Sequence, residues 1–347
     1  MKKVLILTLV IMLMFMTGSA QSCLPEGITF QSQAEIDNFH TNYPGCTEIE
    51  GFLYVYGGQS SITNLNGLSG ITSIGGYLTI YNTDLTGLAG LNSLHTIGGR
   101  MEISECNALA DLAGLESLIS IGSDMVIAFN DNLHDFGGLN SLQSVGGYLY
   151  VDGNDNLTNL SALINLTTVN GNVEILHNPS LLGLVGLQGI SSFPANLIVT
   201  GNAHLLSLAA LSGITSIGGN LEIVQNSILP GLTGLESLTT IGGSFQASVN
   251  PLVSDFAPLS SLTWIGGNLA IASNPSLTSL EGFSSLTHVG GSLFIEQNFQ
   301  LTSLSGLDNI DPYLLIDLLI ENNHNLSECD IESICQYLFL NPGNPWI

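Results

Sequence analysis

The chain has almost no positive charge. Lysine and arginine together number 3 in 347 residues, against 28 aspartates and glutamates. Two of the three are Lys2 and Lys3, and the third is Arg100. A surface of that sign repels phosphate backbones and anionic lipid head groups, which excludes nucleic acid and membrane surfaces as partners. Long apolar runs are equally scarce. The longest, Val4 to Met16, is interrupted only by Thr8 and is too short to span a bilayer. Gly, Asn, Ser and Thr interrupt every later run, so no transmembrane segment is expected once the N-terminus is removed. Cysteine is rare, with Cys23, Cys46, Cys106, Cys329 and Cys335 making up the full set. What the chain does have is 45% hydrophobic residues in a regular order, which excludes disorder.

The N-terminus reads as a secretory signal. Met1-Lys2-Lys3 precedes the apolar run, and Gly18 and Ala20 supply the small residues of a cleavage site. Cleavage is expected after Ala20, giving a signal peptide over 1–20 and a secreted or cell-surface product. A lipoprotein reading would use Cys23, but Ala20-Gln21-Ser22 lacks the usual leucine before it.

Ile217-Gly218-Gly219-Asn220-Leu221-Glu222-Ile223-Val224-Gln225-Asn226 recurs as Ile265-Gly266-Gly267-Asn268-Leu269-Ala270-Ile271-Ala272-Ser273-Asn274. Strand starts fall at Leu53, Leu78, Met101, Met125, Leu149, Val173, Leu197, Leu221, Phe245, Leu269, Leu293 and Leu318. The steps are 25 and 23, then 24 throughout, then 25. A constant period of this length is the signature of a repeat solenoid. Within each copy, Leu-x-Ile has the period of a short strand with both residues inward. The next limb spaces its leucines by three, as in Leu229, Leu232, Leu235 and Leu238. An α-helix would mix threes and fours, so helix–strand repeats are disfavoured. The expected fold is all-β: a parallel β-helix or leucine-rich-repeat-like solenoid of about 11–12 coils over 51–326. Short helical caps are expected at 21–50 and 327–347.

Gly-Gly pairs such as Gly98-Gly99 and Gly242-Gly243 precede most strands. There they permit the positive φ and close backbone approach of a tight corner. Gly122-Ser123, Asn170-Gly171 and Pro194-Ala195 break the pattern, so those three corners are expected to differ locally. Five residues past the strand start stand Asn130, Asn154, Asn178, Asn202, Asn226, Asn250, Asn274, Asn298 and Asn323. Buried amides in one column can bond the turn backbone as a ladder. Cys106 takes that slot in its coil and reads as a structural thiol.

Solenoid ends need covers. Ser32-Gln33-Ala34-Glu35 is a capping box, with Ile36 and Phe39 following at helical spacing. Cys23 and Cys46 bracket this segment and are expected to pair in an oxidising compartment. Ser327 begins a second helical pattern with Ile331, Ile334 and Leu338. Cys329 and Cys335 lie in it as a candidate second pair, at a spacing that makes bridging demanding.

The Ile-Gly-Gly-x-Leu-x-Ile motif and the cysteine-bracketed helix leading into Ile49-Glu50-Gly51-Phe52-Leu53-Tyr54-Val55 resemble the receptor L-domain family. The resemblance runs from about Cys23 to Cys335. It implies a right-handed, single-chain parallel β-helix whose largest sheet binds an extracellular protein or carbohydrate. The array is about twice the length of one L domain and brings no cysteine-rich module or kinase, so receptor signalling is not carried over.

Chemistry on this scaffold has weak support. Glu102, Glu174 and Glu222 point outward from strands. Glu174 and Glu222 sit two coils apart, roughly 10 Å, near the upper end for an inverting carboxylate pair. Ile198 separates them, and no His, Arg or Lys is expected nearby to tune one of them. The seven histidines form no column. Asp152-Gly153-Asn154-Asp155-Asn156, beside Asn130-Asp131-Asn132, is the best oxygen-rich cluster, but it lacks EF-hand spacing and shares its asparagines with the ladder. No cofactor or metal is expected, and the chain is read as a non-catalytic binding or adhesion module. The alternatives are a structural surface component and a polysaccharide-acting enzyme.

Aromatic residues carry the recognition hypothesis. Alternation places Phe52, Tyr54 and Tyr56 outside on the first coil, and Tyr77 and Tyr81 on the second. Tyr148 and Tyr150 are expected two and three coils further on. Cross-strand tyrosine pairing is the competing explanation for these residues; a binding patch is the functional one.

Overall fold

Leu-x-Ile at a fixed interval has one economical solution: each copy lays its strand beside the last, and both apolar side chains go inward. The computed structural model, which describes residues 21–58, 61–328 and 330–341, shows this arrangement. Strands Leu53–Tyr56, Leu78–Tyr81, Met101–Ser104 and their successors form one parallel sheet of 13 strands, ending at Leu318–Glu321. Register never slips. Leu221 faces Phe245 and Leu197, and Ile223 faces Ala247 and Val199. At about 4.8 Å per strand, 13 strands span roughly 58 Å.

The sheet begins earlier than the repeat does. Ile28–Phe30 pairs with Leu53–Tyr56 and supplies a first strand outside the regular motif. Over it pack α1 (Gln33–Asp37) and α2 (Phe39–Asn42), with Ile36 and Phe39 fully buried. The capping box is formed: the Glu35 carboxylate accepts the backbone N–H groups of Gln31 and Ser32. Cys23 and Cys46 are joined in a disulfide, with Cα atoms 5.7 Å apart. At the other end α3 (Glu332–Leu340) buries Ile334 and Tyr337. It starts later than Ser327, whose N–H is instead taken by the Thr302 carbonyl. Cys335 is exposed on α3. The signal segment 1–20 and Cys329, with its proposed pairing, lie outside the described residues.

A second, narrower ladder runs along the Ser-Ile pairs before the Gly-Gly corners, as strands of seven and five. It splits between Thr168–Val169 and Ser192–Phe193. The cause is Pro194. In neighbouring coils the corner residue donates its N–H one coil back, as Gly146 does to Ile121 and Gly218 to Phe193. Proline has no N–H to donate. The other two irregular corners do not differ as expected: Gly122 and Asn170 keep this bond, at 2.8 and 3.1 Å. The Gly-Gly pairs need only close approach, because none has positive φ. A Cβ on Gly98 would stand 2.2 Å from the Gly75 carbonyl oxygen.

The three-spaced limb turns its corner in two ways. Five coils use a single 3₁₀ turn, for example Ala209–Leu211. Others place a glycine at positive φ, such as Gly114 and Gly234. Each device satisfies its own donor. Ser207 Oγ accepts the Ala209 N–H, whereas the Glu236 carboxylate accepts the N–H of Gly234. The spacing of three holds with either device, since Leu229, Leu232, Leu235 and Leu238 keep it in a coil that turns at Gly234.

The asparagine column is a ladder in full. Asn226 Nδ2 donates to the Val199 carbonyl at 2.9 Å, and Asn226 Oδ1 accepts the Asn202 N–H at 3.2 Å. Cys106 donates its N–H to Asn130 Oδ1 at 3.0 Å. Burial pushes the Cys106 thiol above its ordinary pKa. One coil earlier Thr83 holds the slot, buried against the Cys106 sulfur at 3.2 Å, a member that the asparagine pattern did not reveal.

Candidate functional site

The inner face of the long sheet is closed by leucine, so only its outer face is open to a ligand. Three outward positions recur in each coil: the residue before the strand and its second and fourth residues. In the first two coils all of these are aromatic except Thr79. Phe52 and Tyr77 stack with ring centres 4.8 Å apart and planes within 3°. Tyr56 stacks on Tyr81 at 5.8 Å, and Tyr54 on Tyr56 at 6.1 Å. In-register pairing causes this, since Tyr56 and Tyr81 are direct partners in the ladder. The five rings form an outward ridge of stacked pairs, in which ring faces cover one another in part. Tyr54 titrates above its ordinary value, first through burial and then through Tyr56, Glu102 and Tyr77. Tyr81 is raised by its hydrogen bond to Glu105.

Arg100 follows Tyr77 in the same outer row and pairs with Glu102 at 3.3 Å. Among the described residues it is the only lysine or arginine.

Tyr148 and Tyr150 flank Leu149 in a single coil, not two successive ones. The residue before a strand belongs to the same turn as its second residue. Their rings meet edge to face at 6.5 Å. Tyr150 donates its hydroxyl to Asp152 Oδ2 at 2.8 Å, and Asp152 Oδ1 meets His177 Nδ1 at 3.0 Å. Burial, followed by the Asp152 bond, pushes the Tyr150 phenol to about 12. His177 stands at φ 47° and its ring lies over Gly201, where a Cβ would come within 2.6 Å. Sequence spacing missed this trio because its members fall at unlike places in two adjacent coils.

The acidic residues occupy the row as expected. Glu174, Ile198 and Glu222 are successive ladder partners. Arg100 pairs with Glu102, and His177, just past the strand that carries Glu174, meets Asp152. Glu174 and Glu222 do not form a catalytic pair, since Ile198 intervenes and Glu174 is held by Asn172 Nδ2 at 2.9 Å. Among the described residues no group of three or more His, Cys, Asp or Glu converges on a metal position. Asn130 and Asn154 of the oxygen-rich segment are spent in the ladder. Among the described residues no helix is long and apolar enough to cross a membrane.

A second ladder lies on the outer corner, unforeseen from sequence. Asn172, Asn196, Asn220, Ser244 and Asn268 each accept, through the side-chain oxygen, the N–H of the next coil's equivalent residue. It runs opposite in sense to the inner ladder, whose amides accept from the preceding coil. Its signal was present in the repeated Gly-Gly-Asn, read only as part of a corner.

With this geometry in view, comparison with known families is specific. Residues 45–134 match the receptor L domain. The match covers about a quarter of the chain, and the coils it covers carry the aromatic ridge. The β-solenoid as a whole is consistent with that leucine-rich-repeat-like fold. Receptor L domains are non-enzymatic modules that bind protein ligands. No curated protein matches the chain.

Proposed function

We propose that this protein is an exported, non-catalytic binding module that takes a protein ligand on the aromatic N-terminal end of its long sheet. The observation that carries the reading is the ridge of Phe52, Tyr54, Tyr56, Tyr77 and Tyr81. It is rigid, outward, and inside the L-domain match. Tyrosines of this kind give large contact area at low entropic cost and dominate many protein interfaces. Mutual stacking occupies ring faces that a sugar would need, which favours a protein ligand over a carbohydrate here. Tyr148 and Tyr150, three coils on from Tyr77 and Tyr81, extend the same face. The disulfide and the acidic surface fit an extracellular setting.

A structural surface component is the second reading, favoured by the same stacking, since paired tyrosines also stabilise a sheet without any ligand. The double variant Tyr54→Ala/Tyr81→Ala separates the two. Wild-type and variant protein are used to capture surface proteins from neighbouring cells. The binding reading expects a partner retained by wild type and lost by the variant, while unfolding free energy changes by less than about 1 kcal/mol. Retention of the partner, or collapse of the fold, assigns the ridge to packing.

A further inference from the structure

The later half of the outer face is concave where the early half is ridged. The row of second strand residues runs Glu222, Gln246, Ala270, Phe294, and the row of fourth residues runs Val224, Ser248, Ala272, Glu296. Short side chains at 248, 270 and 272 are fenced by long ones at 222, 246, 294 and 296. The result is a trough of about 510 Å³. A further hollow of about 290 Å³ opens on the far side of Phe294, against Leu319 and Glu321. Volumes of this order are those of small-molecule sites.

The walls are chemically mixed and preset. Asn220 and Asn268 belong to the outer ladder, so their amide oxygens are engaged by the N–H groups of Ser244 and Ser292. That leaves each NH2 group with no protein partner among the described residues. Both residues line it. Glu222 and Glu296 supply acceptors and are paired with no cation among the described residues. The nearest arginine in sequence, Arg100, belongs to the third coil and is already bound to Glu102. Phe294 is stacked on no other ring among the described residues, unlike Phe52, Tyr56, Tyr77 and Tyr81.

We infer that this trough binds a neutral saccharide, with Phe294 as the platform for the apolar face of a sugar ring. The Glu222 and Glu296 carboxylates accept sugar hydroxyls, and the Asn220 and Asn268 amides donate to ring or hydroxyl oxygens. A saccharide hydroxyl both donates and accepts, so it uses both kinds of group, and the flat apolar face of its ring suits Phe294. An acidic sugar would face two carboxylates. The hollow beyond Phe294 gives space for a second sugar unit, so the ligand is an oligosaccharide rather than a monosaccharide. The site is independent of the tyrosine ridge.

Titration calorimetry of the whole secreted protein tests this. The probes are hexasaccharides of β-1,4-glucose, α-1,4-glucose and β-1,4-N-acetylglucosamine, with oligogalacturonate as the anionic control and a lysine-rich peptide as the cationic one. At least one neutral hexasaccharide is expected to bind. Phe294→Ala should weaken it about tenfold, the upper part of the range for an aromatic contact. Ala270→Leu, which fills the floor at an outward position, should abolish binding without altering thermal unfolding. Tyr54→Ala/Tyr81→Ala should leave it unchanged. Silence from all three neutral sugars, binding of only the anionic or the cationic probe, or binding that survives Ala270→Leu each overturns the assignment.

Discussion

The two ends of the long sheet share an interior and differ outside. Beneath Tyr54 and beneath Ala270 lie equivalent columns of leucine and isoleucine. Above them stand a ridge of stacked rings at one end and a trough at the other. The contrast teaches how a solenoid divides its tasks. Inward positions repeat because each coil must match its neighbours to bury them, and no coil can change its interior alone. Outward positions face water on one side and only their row-mates on the other, so they are free to vary coil by coil. Function on this scaffold therefore has to be sought where the repeat is broken.

The sharpest way to break that picture is to strike the shared interior at different points along the stack. Leu88, Leu208 and Leu280 occupy the same column in an early, a middle and a late coil, and all are fully buried. Truncation to alanine should cost about 2–5 kcal/mol at each, the range for a buried leucine that leaves a cavity. Denaturant unfolding measures it. A loss below half the lower bound at one position alone would mean that the ends differ inside as well.

Next in size comes the inner ladder. Asn226→Ala would strip partners from the buried Asn202 N–H and from the Val199 and Val224 carbonyls. Buried groups left unsatisfied cost about 1–3 kcal/mol each, reduced when water enters, so a total loss of about 2–4 kcal/mol is expected. Asn196→Ala, in the half-exposed outer ladder, should cost under about 1 kcal/mol, because water replaces the lost bonds. Equal losses would show that the outer ladder is as much a part of the core as the inner one.

These two ladders also mark how far sequence carries. The inner column was legible because Asn recurs at one offset beside a buried strand. Thr83 escaped because it is a chemically different residue meeting the same geometric need. The solenoid and its in-register sheet were legible because period and polarity repeat together. The thirteenth strand, Ile28–Phe30, was hidden because it pairs with the repeat without sharing its motif. Site geometry was harder. Outward alternation located the tyrosines, but nothing linear distinguishes stacked rings from open platforms. The trough depends on small residues at Ala270 and Ala272 being surrounded by large ones from other coils. The Tyr150–Asp152–His177 cluster likewise joins residues whose offsets differ.

The middle of the face offers a smaller test through pH. The Tyr150 phenol lies at about 12 in the folded protein, against about 10 when unfolded. The folded state therefore holds a proton that the unfolded state releases first. The contribution is complete below pH 10 or so and is lost as pH rises toward about 12. Unfolding measured across that interval should show wild type losing stability more steeply than Tyr150→Phe. Phenolate absorbance should show one late-titrating tyrosine fewer in the variant than in wild type, where Tyr54 and Tyr81 are also raised. Parallel curves for the two proteins would detach Tyr150 from Asp152 and dissolve the polar cluster at the middle of the face.

The smallest effect concerns a feature that both ends share on the surface. The residue before the ladder slot adopts positive φ in successive coils, including Phe129 at 56°, Gln225 at 56° and Val249 at 57°. Glycine takes the position at Gly153 and Gly201. A left-handed conformation costs an L-residue about 1–2 kcal/mol, and a β-branched side chain suits it least. The cost persists because the next residue must deliver its amide to the ladder. Val249 is 44% exposed, so little packing is lost on removing it. Val249→Gly relieves the strain but adds about 0.5–1 kcal/mol of unfolded-chain entropy. The balance is a gain of about 0.5 kcal/mol, measurable as a raised urea midpoint. Gly201→Ala should do the reverse, because its Cβ would strike the His177 ring as well as meet the same strain. If Val249→Gly destabilises instead, the valine side chain is holding its coil through contacts on the surface. The rule that only the interior is constrained from coil to coil would then fail at this column.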